Sequence, residues 1–309
     1  MSNTWITGGK GFIGKHLARY VASQGHMAAG MGHGLWSSED ALEWGYSYWS
    51  NAEIEAANLN QLANISGLPD TIFHLAGGSA VGTSLQHPYE DFRRTVDTTA
   101  QLLEWVRQNS PNTKVVAVSS AAVYGAGHDG AISENAALSP YSPYGAHKSM
   151  MECLCRSYAE NFGLRVAIVR LFSVYGAELE KQLIWDLCRK LAQADNEPVM
   201  LGGSGEELRD WLHVSDAAEL LWLARSRCDA SCSIINGGTG MGISIRDVAG
   251  LVCTAWGAVA DVKFSGIARK GDPDSLIADC QLATQLGFKP RVTLPEGIYE
   301  AVHWFKSRK

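Results

Sequence analysis

The segment "TGGKGFIG", Thr7 to Gly14, narrows what this chain can fold into more than any other stretch. It sets Gly8, Gly11 and Gly14 between an apolar run, "TWIT", and an amphipathic pattern, "FIGKHLARYVASQG", whose Gly25 reads as a helix stop. Glycines in that place have separate tasks. Gly8 permits the tight turn out of the strand, Gly11 lets the backbone approach a pyrophosphate, and Gly14 lets helix and strand pack closely. The helix start then offers amide donors and a partial positive charge to phosphate oxygens. The loop with the first helical turn, Gly8, Gly11, Phe12, Ile13 and Gly14, is therefore a candidate dinucleotide-binding element. A glycine-rich turn without a ligand is the plainer alternative, and the strand-then-helix context argues against it.

Short apolar runs alternate with amphipathic stretches through the first half. After "MAAGM" come "TIFHLAG" (71–77), "KVVAVSS" (114–120) and "RVAIVRLFS" (165–173), continuous enough to be strands buried on both faces. This rhythm predicts an α/β fold with a doubly wound parallel sheet. Ligands of such sheets lie beyond the strand C-termini, which brings Leu75, Ala76, Gly77 and Ser119 into the cofactor-binding set. Past about Tyr175 the chain turns to glycine-rich loops and short helices, "MLGGSGEELRDW" and "INGGTGMGIS" among them. The change predicts a dinucleotide-binding domain over residues 1–175, with parts of 213–237 returning to it. A smaller, partly interleaved α/β substrate domain then occupies 176–309.

A formal net charge of −6, with Lys and Arg scattered, gives no surface for nucleic acid or for an anionic membrane. No stretch approaches the ~18 apolar residues of a membrane span, and "MSNTWITGG" enters a strand at once, without the apolar core of a leader. The seven cysteines include no CxxC or zinc-ribbon spacing, so reduced thiols, no metal site and a cytoplasmic location are the expectation.

The sharpest chemical signal is "YSPYGAHKSMMECL". Tyr144 and Lys148 are four apart, so a helix presents both on one face. A free phenol has a pKa near about 10 and is a poor base at neutral pH. A neighbouring ammonium favours the phenolate, which predicts a Tyr144 able to exchange a proton with a substrate hydroxyl. Ser120, at the end of "KVVAVSS", completes the candidate catalytic set by holding the reacting oxygen; a strand-end cap is its plainer role. Tyr141 lacks a Lys four positions on, and Tyr124 and Tyr175, each in "VYG", read as wall or packing residues.

The GxxGxxG and YxxxK spacings together resemble the extended branch of the short-chain dehydrogenase/reductase superfamily. "FHLAGGSAVGTSLQHPYEDF", "SSAAVYG", "RLFSVYG", "LRDWLHVSDAAELLWLA", "ARKGDPDSLIAD" and "LGFKPRVTLPEGIYEAVHWF" are similar to segments of its nucleotide-sugar members, such as UDP-galactose 4-epimerases, so the likeness spans the chain. The resemblance implies a Rossmann-type fold and a nucleotide-diphosphate sugar as substrate. It also implies a homodimer joined through helices near 98–108 and 144–162, and a Lys148 that reaches the nicotinamide ribose. Arg209 and Arg269, with Lys270 close behind, correspond to a clamp on the diphosphate, where guanidinium forks suit phosphate oxygens. Ser79, Ser120, Ala121 and Ser173 complete the substrate-binding set that it implies. Ser79, Thr95 and Ser173 stand where the 4-epimerases carry Lys, Asn and Asn.

Two local features bear on the reaction. The related 4,6-dehydratases carry an Asp-Glu pair just after the catalytic hydroxyl residue, because eliminating water needs a separate acid and base; here the positions are Ala121 and Ala122. Redox chemistry at one carbinol or ketone, at C4 of the hexose, is what remains. At the tip of the second strand, a carboxylate that would bond the adenosine ribose and repel a 2′-phosphate is replaced by Gly32-His33-Gly34. With His33 as the only donor there, the tip favours NADP(H) over NAD(H) as cofactor. That tilts the reading toward a nucleotide-4-ketosugar reductase, the alternative being a 4-epimerase that recycles a tightly bound NAD. A non-catalytic dinucleotide-binding regulator conflicts with the complete Ser120, Tyr144 and Lys148 set. A reductase of steroid or flavonoid alcohols conflicts with "ELRDWLHV" and "RKGDPD".

Overall fold

Neighbouring residues of the central strands point into different cores. Trp5, Ile72, Val115, Ala117 and Ile168 belong to one buried cluster, and Ile6, Phe73, Val116, Val118 and Val169 to another. A strand apolar at both phases of its two-residue period needs cover on both faces. Helices Ala56–Ser66, Thr98–Asn109 and Pro143–Phe162 give Leu62, Leu102 and Met151 to the first cluster. Helices Phe12–Ser23 and Val214–Ala224 give Leu17 and Leu220 to the second. The computed structural model in which this is seen describes residues 3–193, 198–257, 262–267 and 273–308.

The covered sheet has seven strands in the order Ser233–Gly237, Arg165–Leu171, Lys114–Ser120, Thr71–His74, Asn3–Thr7, Met27–Gly32 and Tyr46–Asn51, every pair parallel. Chain order reverses between Asn3–Thr7 and Thr71–His74, which opens a ligand crevice beyond their C-terminal ends. A second sheet is built around Leu208–His213, which pairs antiparallel with Gly242–Ser244 and parallel with Ser275–Ala278 and Ser173–Tyr175. Ala131–Ile132, a two-residue strand from a loop of the large sheet, joins Ser275–Ala278 and stitches the two sheets together. Helices Gln182–Gln193, Ile245–Trp256 and Leu294–Ser307 close a separate core through Leu187, Val248 and Ile298.

Helix Pro143–Phe162 carries the YxxxK segment and is fixed at both ends. Ser142 accepts from the Gly145 amide at 3.2 Å, Pro143 starts the first turn, and Gly163 stops the helix at φ +71°. Its middle is tied down by a buried ion pair: Arg170 donates to both Glu152 oxygens at 2.9 and 2.7 Å, and to the Tyr124 hydroxyl and the Glu134 carbonyl. The Tyr124 hydroxyl donates in turn to Asn236, so two strands and the helix share one hydrogen-bonded knot. All seven cysteines are free thiols, and among the described residues no helix is long and apolar enough to cross a membrane.

Candidate active site

The glycine loop forms a cradle that a side chain would fill. Gly8 takes φ +68°, and a Cβ there would stand 2.8 Å from the Ala76 nitrogen. A Cβ on Gly14 would lie 2.7 Å from the carbonyl oxygens of Gly8 and Gly9. Gly11 begins helix Phe12–Ser23 with no side-chain cap and no acid in the first turn, which leaves the amide donors of Phe12 and Ile13 for an anion. Beneath the loop, the buried Tyr46 hydroxyl sits 2.9 Å from the carbonyl oxygens of Gly9 and Gly14 and holds the turn in shape. Leu75, Ala76 and Gly77 form the opposite wall, with the Leu75 amide donating to Thr7. These residues fit a dinucleotide.

The catalytic candidates converge beyond the strand ends. The Ser120 hydroxyl accepts from the Ala122 amide at 3.2 Å, capping a short 3-10 turn, and lies close enough to the Tyr144 phenol to pull its pKa down. Strand-end cap and active-site hydroxyl are thus the same atom. Lys148 is buried: its ammonium donates to the Val118 carbonyl at 2.9 Å, and a Cβ on Gly77 would come within 3.1 Å of Nζ. Desolvation lowers its pKa to about 8, against the pull of Asp91, Glu152 and Cys155.

Tyr144 departs from the sequence reading. That reading has the Lys148 ammonium acidify the phenol; in the structure burial raises the Tyr144 pKa, Ser120 lowers it, and the negative charge of Asp91 raises it further. At rest Tyr144 is therefore a neutral phenol. Asp91 and its partner His147 are the residues the sequence reading missed. The His147 Nδ1 donates to Asp91 Oδ2 at 2.6 Å, with the side chains 12% and 5% exposed. Ser84 was missed as well; its hydroxyl accepts from the Tyr144 amide at 3.0 Å. His147 had a signal, lying between Tyr144 and Lys148 on their helix face, whereas Asp91 comes from a distant segment with no spacing to mark it.

Other predicted residues fall in several environments. The Ser119 side chain is turned inward, donating to Glu152 at 2.6 Å, so only its backbone faces the crevice; strand alternation puts it opposite Ser120. The Ala121 methyl is likewise buried, in an apolar cluster with Val123, Tyr124 and Phe172. His33 is 67% exposed, with Nε2 3.8 Å from Glu53, a carboxylate that the strand-tip reading did not foresee. Lys10 reaches the same rim from the glycine loop and donates to the Leu35 carbonyl at 2.6 Å. Ser79 accepts from Lys181, which crosses from the segment before helix Gln182–Gln193, at 2.7 Å. Thr95 accepts from the Gly78 amide at 2.8 Å. Ser173 is half-buried opposite Trp211, and Arg209 donates to the Leu208 carbonyl at 2.8 Å on the second sheet. Arg269 and Lys270 lie outside the described residues.

Comparison with known proteins agrees with this arrangement. Residues 4–238 match the pattern of the NAD dependent epimerase/dehydratase family. The chain is 28% identical to a CDP-paratose 2-epimerase of Salmonella typhi, over 98% of each protein. Among solved structures it is similar to MoeE5 in complex with UDP-glucuronic acid and NAD, with 31% identity, a TM-score of 0.86 and coverage of 99% of this chain and 100% of the other. It is also similar to the UDP-glucuronic acid 4-epimerase of Bacillus cereus in complex with UDP-glucuronic acid and NAD, with 26% identity, a TM-score of 0.88 and the same coverage. The chain is a nicotinamide-dinucleotide enzyme on a Rossmann-type fold and belongs to the NAD dependent epimerase/dehydratase family.

Proposed function

We propose that this chain is a nucleotide-sugar 4-epimerase that keeps its NAD between turnovers. The observation that carries the reading is a single hydroxyl–phenol–ammonium set, Ser120, Tyr144 and Lys148, followed by Ala121 and Ala122 with no second acid and base. Such a site can oxidise and re-reduce one carbinol but cannot eliminate water. Ser120 orients the C4 hydroxyl; Tyr144, a neutral phenol at rest, first gives up its own proton to solvent, then as phenolate takes the C4 hydroxyl proton and later returns it, and Lys148 supplies positive charge beside them. The dinucleotide held by Gly8, Gly11 and Gly14 supplies hydride acceptance and donation when bound. Inversion would follow if the ketosugar turned its other face to the hydride before Tyr144 reprotonates its oxygen, with Arg209 on the second sheet as a holder of the diphosphate and Arg269, outside the described residues, as the second holder that the resemblance implies.

Support for NAD comes from the relatives solved with it and from Glu53 at the strand tip, a charge that would repel a 2′-phosphate. Lys10 on the same rim favours the second reading, an NADP(H)-dependent 4-ketosugar reductase. UDP-glucuronic acid and UDP-glucose are the probes that decide between them. Epimerisation gives the C4-inverted sugar with no net change in nicotinamide absorbance. Stoichiometric oxidation of NADPH by a nucleotide-4-ketosugar would establish the reductase. In either case Tyr144→Phe lowers kcat by about 10²–10⁴-fold and leaves the dinucleotide bound; a near-normal rate removes Tyr144 from its role. The reading also includes a homodimer through helices Thr98–Asn109 and Pro143–Phe162, where Met150 and Phe162 are exposed.

A further inference from the structure

Asp91 is a buried carboxylate that the reaction as described does not use. It comes from the five-residue helix Pro88–Phe92 and lies against the loop that follows strand Thr71–His74. The loop is shaped around it: a Cβ on Gly78 would come within 1.8 Å of Asp91 Oδ1. The preceding residue, Gly77, lies against Lys148, and a Cβ there would stand 3.1 Å from Nζ. Two opposite charges therefore rest on consecutive glycines. The other carboxylate oxygen is held by His147, whose ring is edge-on to Phe92 and which shares a helix face with Tyr144 and Lys148.

We propose that Asp91 and His147 form a positioning pair for Tyr144 and Lys148: His147 fixes the carboxylate against Gly78, and its charge keeps Lys148 an ammonium. The proposal rests on the assignment of Tyr144 and Lys148 as the proton-transfer couple. Four groups face Lys148: Asp91, Glu152 and Cys155 act on it, and His74 feels its charge in turn. Glu152 is already bound through both oxygens to Arg170, and buried Cys155 has its pKa pushed well up by desolvation, so it is a neutral thiol. Glu90 and Arg94 pair with each other on the exposed side of the same segment. Asp91, held by His147 rather than by a guanidinium, is the carboxylate that chiefly offsets the desolvation of Lys148. Its cost is borne by Tyr144, whose phenolate the same charge opposes.

The test follows the Lys148 side chain by NMR of the full chain labelled with [ε-13C]lysine, the resonance being identified with Lys148→Arg. Asp91→Asn, which keeps shape and loses charge, is expected to lower the Lys148 titration midpoint by about one pH unit or more. His147→Ala, which frees the carboxylate to turn to water, is expected to move it in the same direction. His147→Asn retains an N–H donor near the Nδ1 position and is expected to leave the midpoint in place. With a turned-over probe, both limbs of the kcat profile of Asp91→Asn move to lower pH, because loss of a negative charge favours both the phenolate and the neutral amine. A Lys148 midpoint unchanged in Asp91→Asn and in His147→Ala overturns the proposal, and either variant suffices if the other fails to fold. Normal turnover in Tyr144→Phe would overturn the functional reading instead and leave the midpoint measurement intact.

Discussion

Tyr144 and Lys148 show what single residues reveal at each stage. Their four-residue spacing fixes a shared helix face before any coordinates are known, because the helical period depends on nothing else. The charge balance at that face was not legible. It depends on Asp91, which approaches through space from a segment more than fifty positions earlier. The sequence assigned Lys148 the task of acidifying the phenol, whereas burial and Asp91 raise it. The lysine itself sets the measurable limit. With its pKa near 8, the ammonium is intact at pH 7 and is lost as pH rises, so kcat is expected to fall on the alkaline side with a midpoint close to 8. A profile flat to pH 10 would show that Lys148 stays charged or is not needed.

Elements are more legible in the sequence than the placement of residues within them. The runs at 71–77, 114–120 and 165–173 became central strands of the sheet because continuous apolar character needs two covered faces. Which face each residue takes was not available from a run apolar at every position, and so Ser119 was placed in the crevice when its hydroxyl points into the core. The same run hides the Arg170–Glu152 pair, whose two members lie 18 positions apart on a strand and a helix. That pair seats the catalytic helix. Glu152→Ala leaves the Arg170 guanidinium buried without its carboxylate and is expected to destabilise the fold by about 3–5 kcal/mol. Replacing both residues with apolar ones of similar volume is expected to recover most of that loss, because the desolvation cost of both charges disappears. Urea melts of the single and double variants measure the difference, and equal losses would mean that the pair is not what holds the helix.

At the scale of the whole molecule, the change of rhythm after Tyr175 predicts a second unit, but it carries no signal for how the two sheets are joined. Ala131–Ile132 is too short for a strand signal, and its partner Ser275–Ala278 is more than 140 positions away. Two further long-range contacts carry no sequence signal: Lys15 of helix Phe12–Ser23 pairs with Glu178, and Lys181 donates to Ser79, each joining a residue near the glycine loop or the loop after strand Thr71–His74 to the segment before helix Gln182–Gln193. The direct measurement uses UDP-glucuronic acid and UDP-glucose carrying deuterium at C4, given to the purified protein with no cofactor added. The account predicts a C4-inverted product that keeps its deuterium at C4. Loss of the label, or turnover only when reduced nicotinamide is supplied in stoichiometric amount, would contradict it.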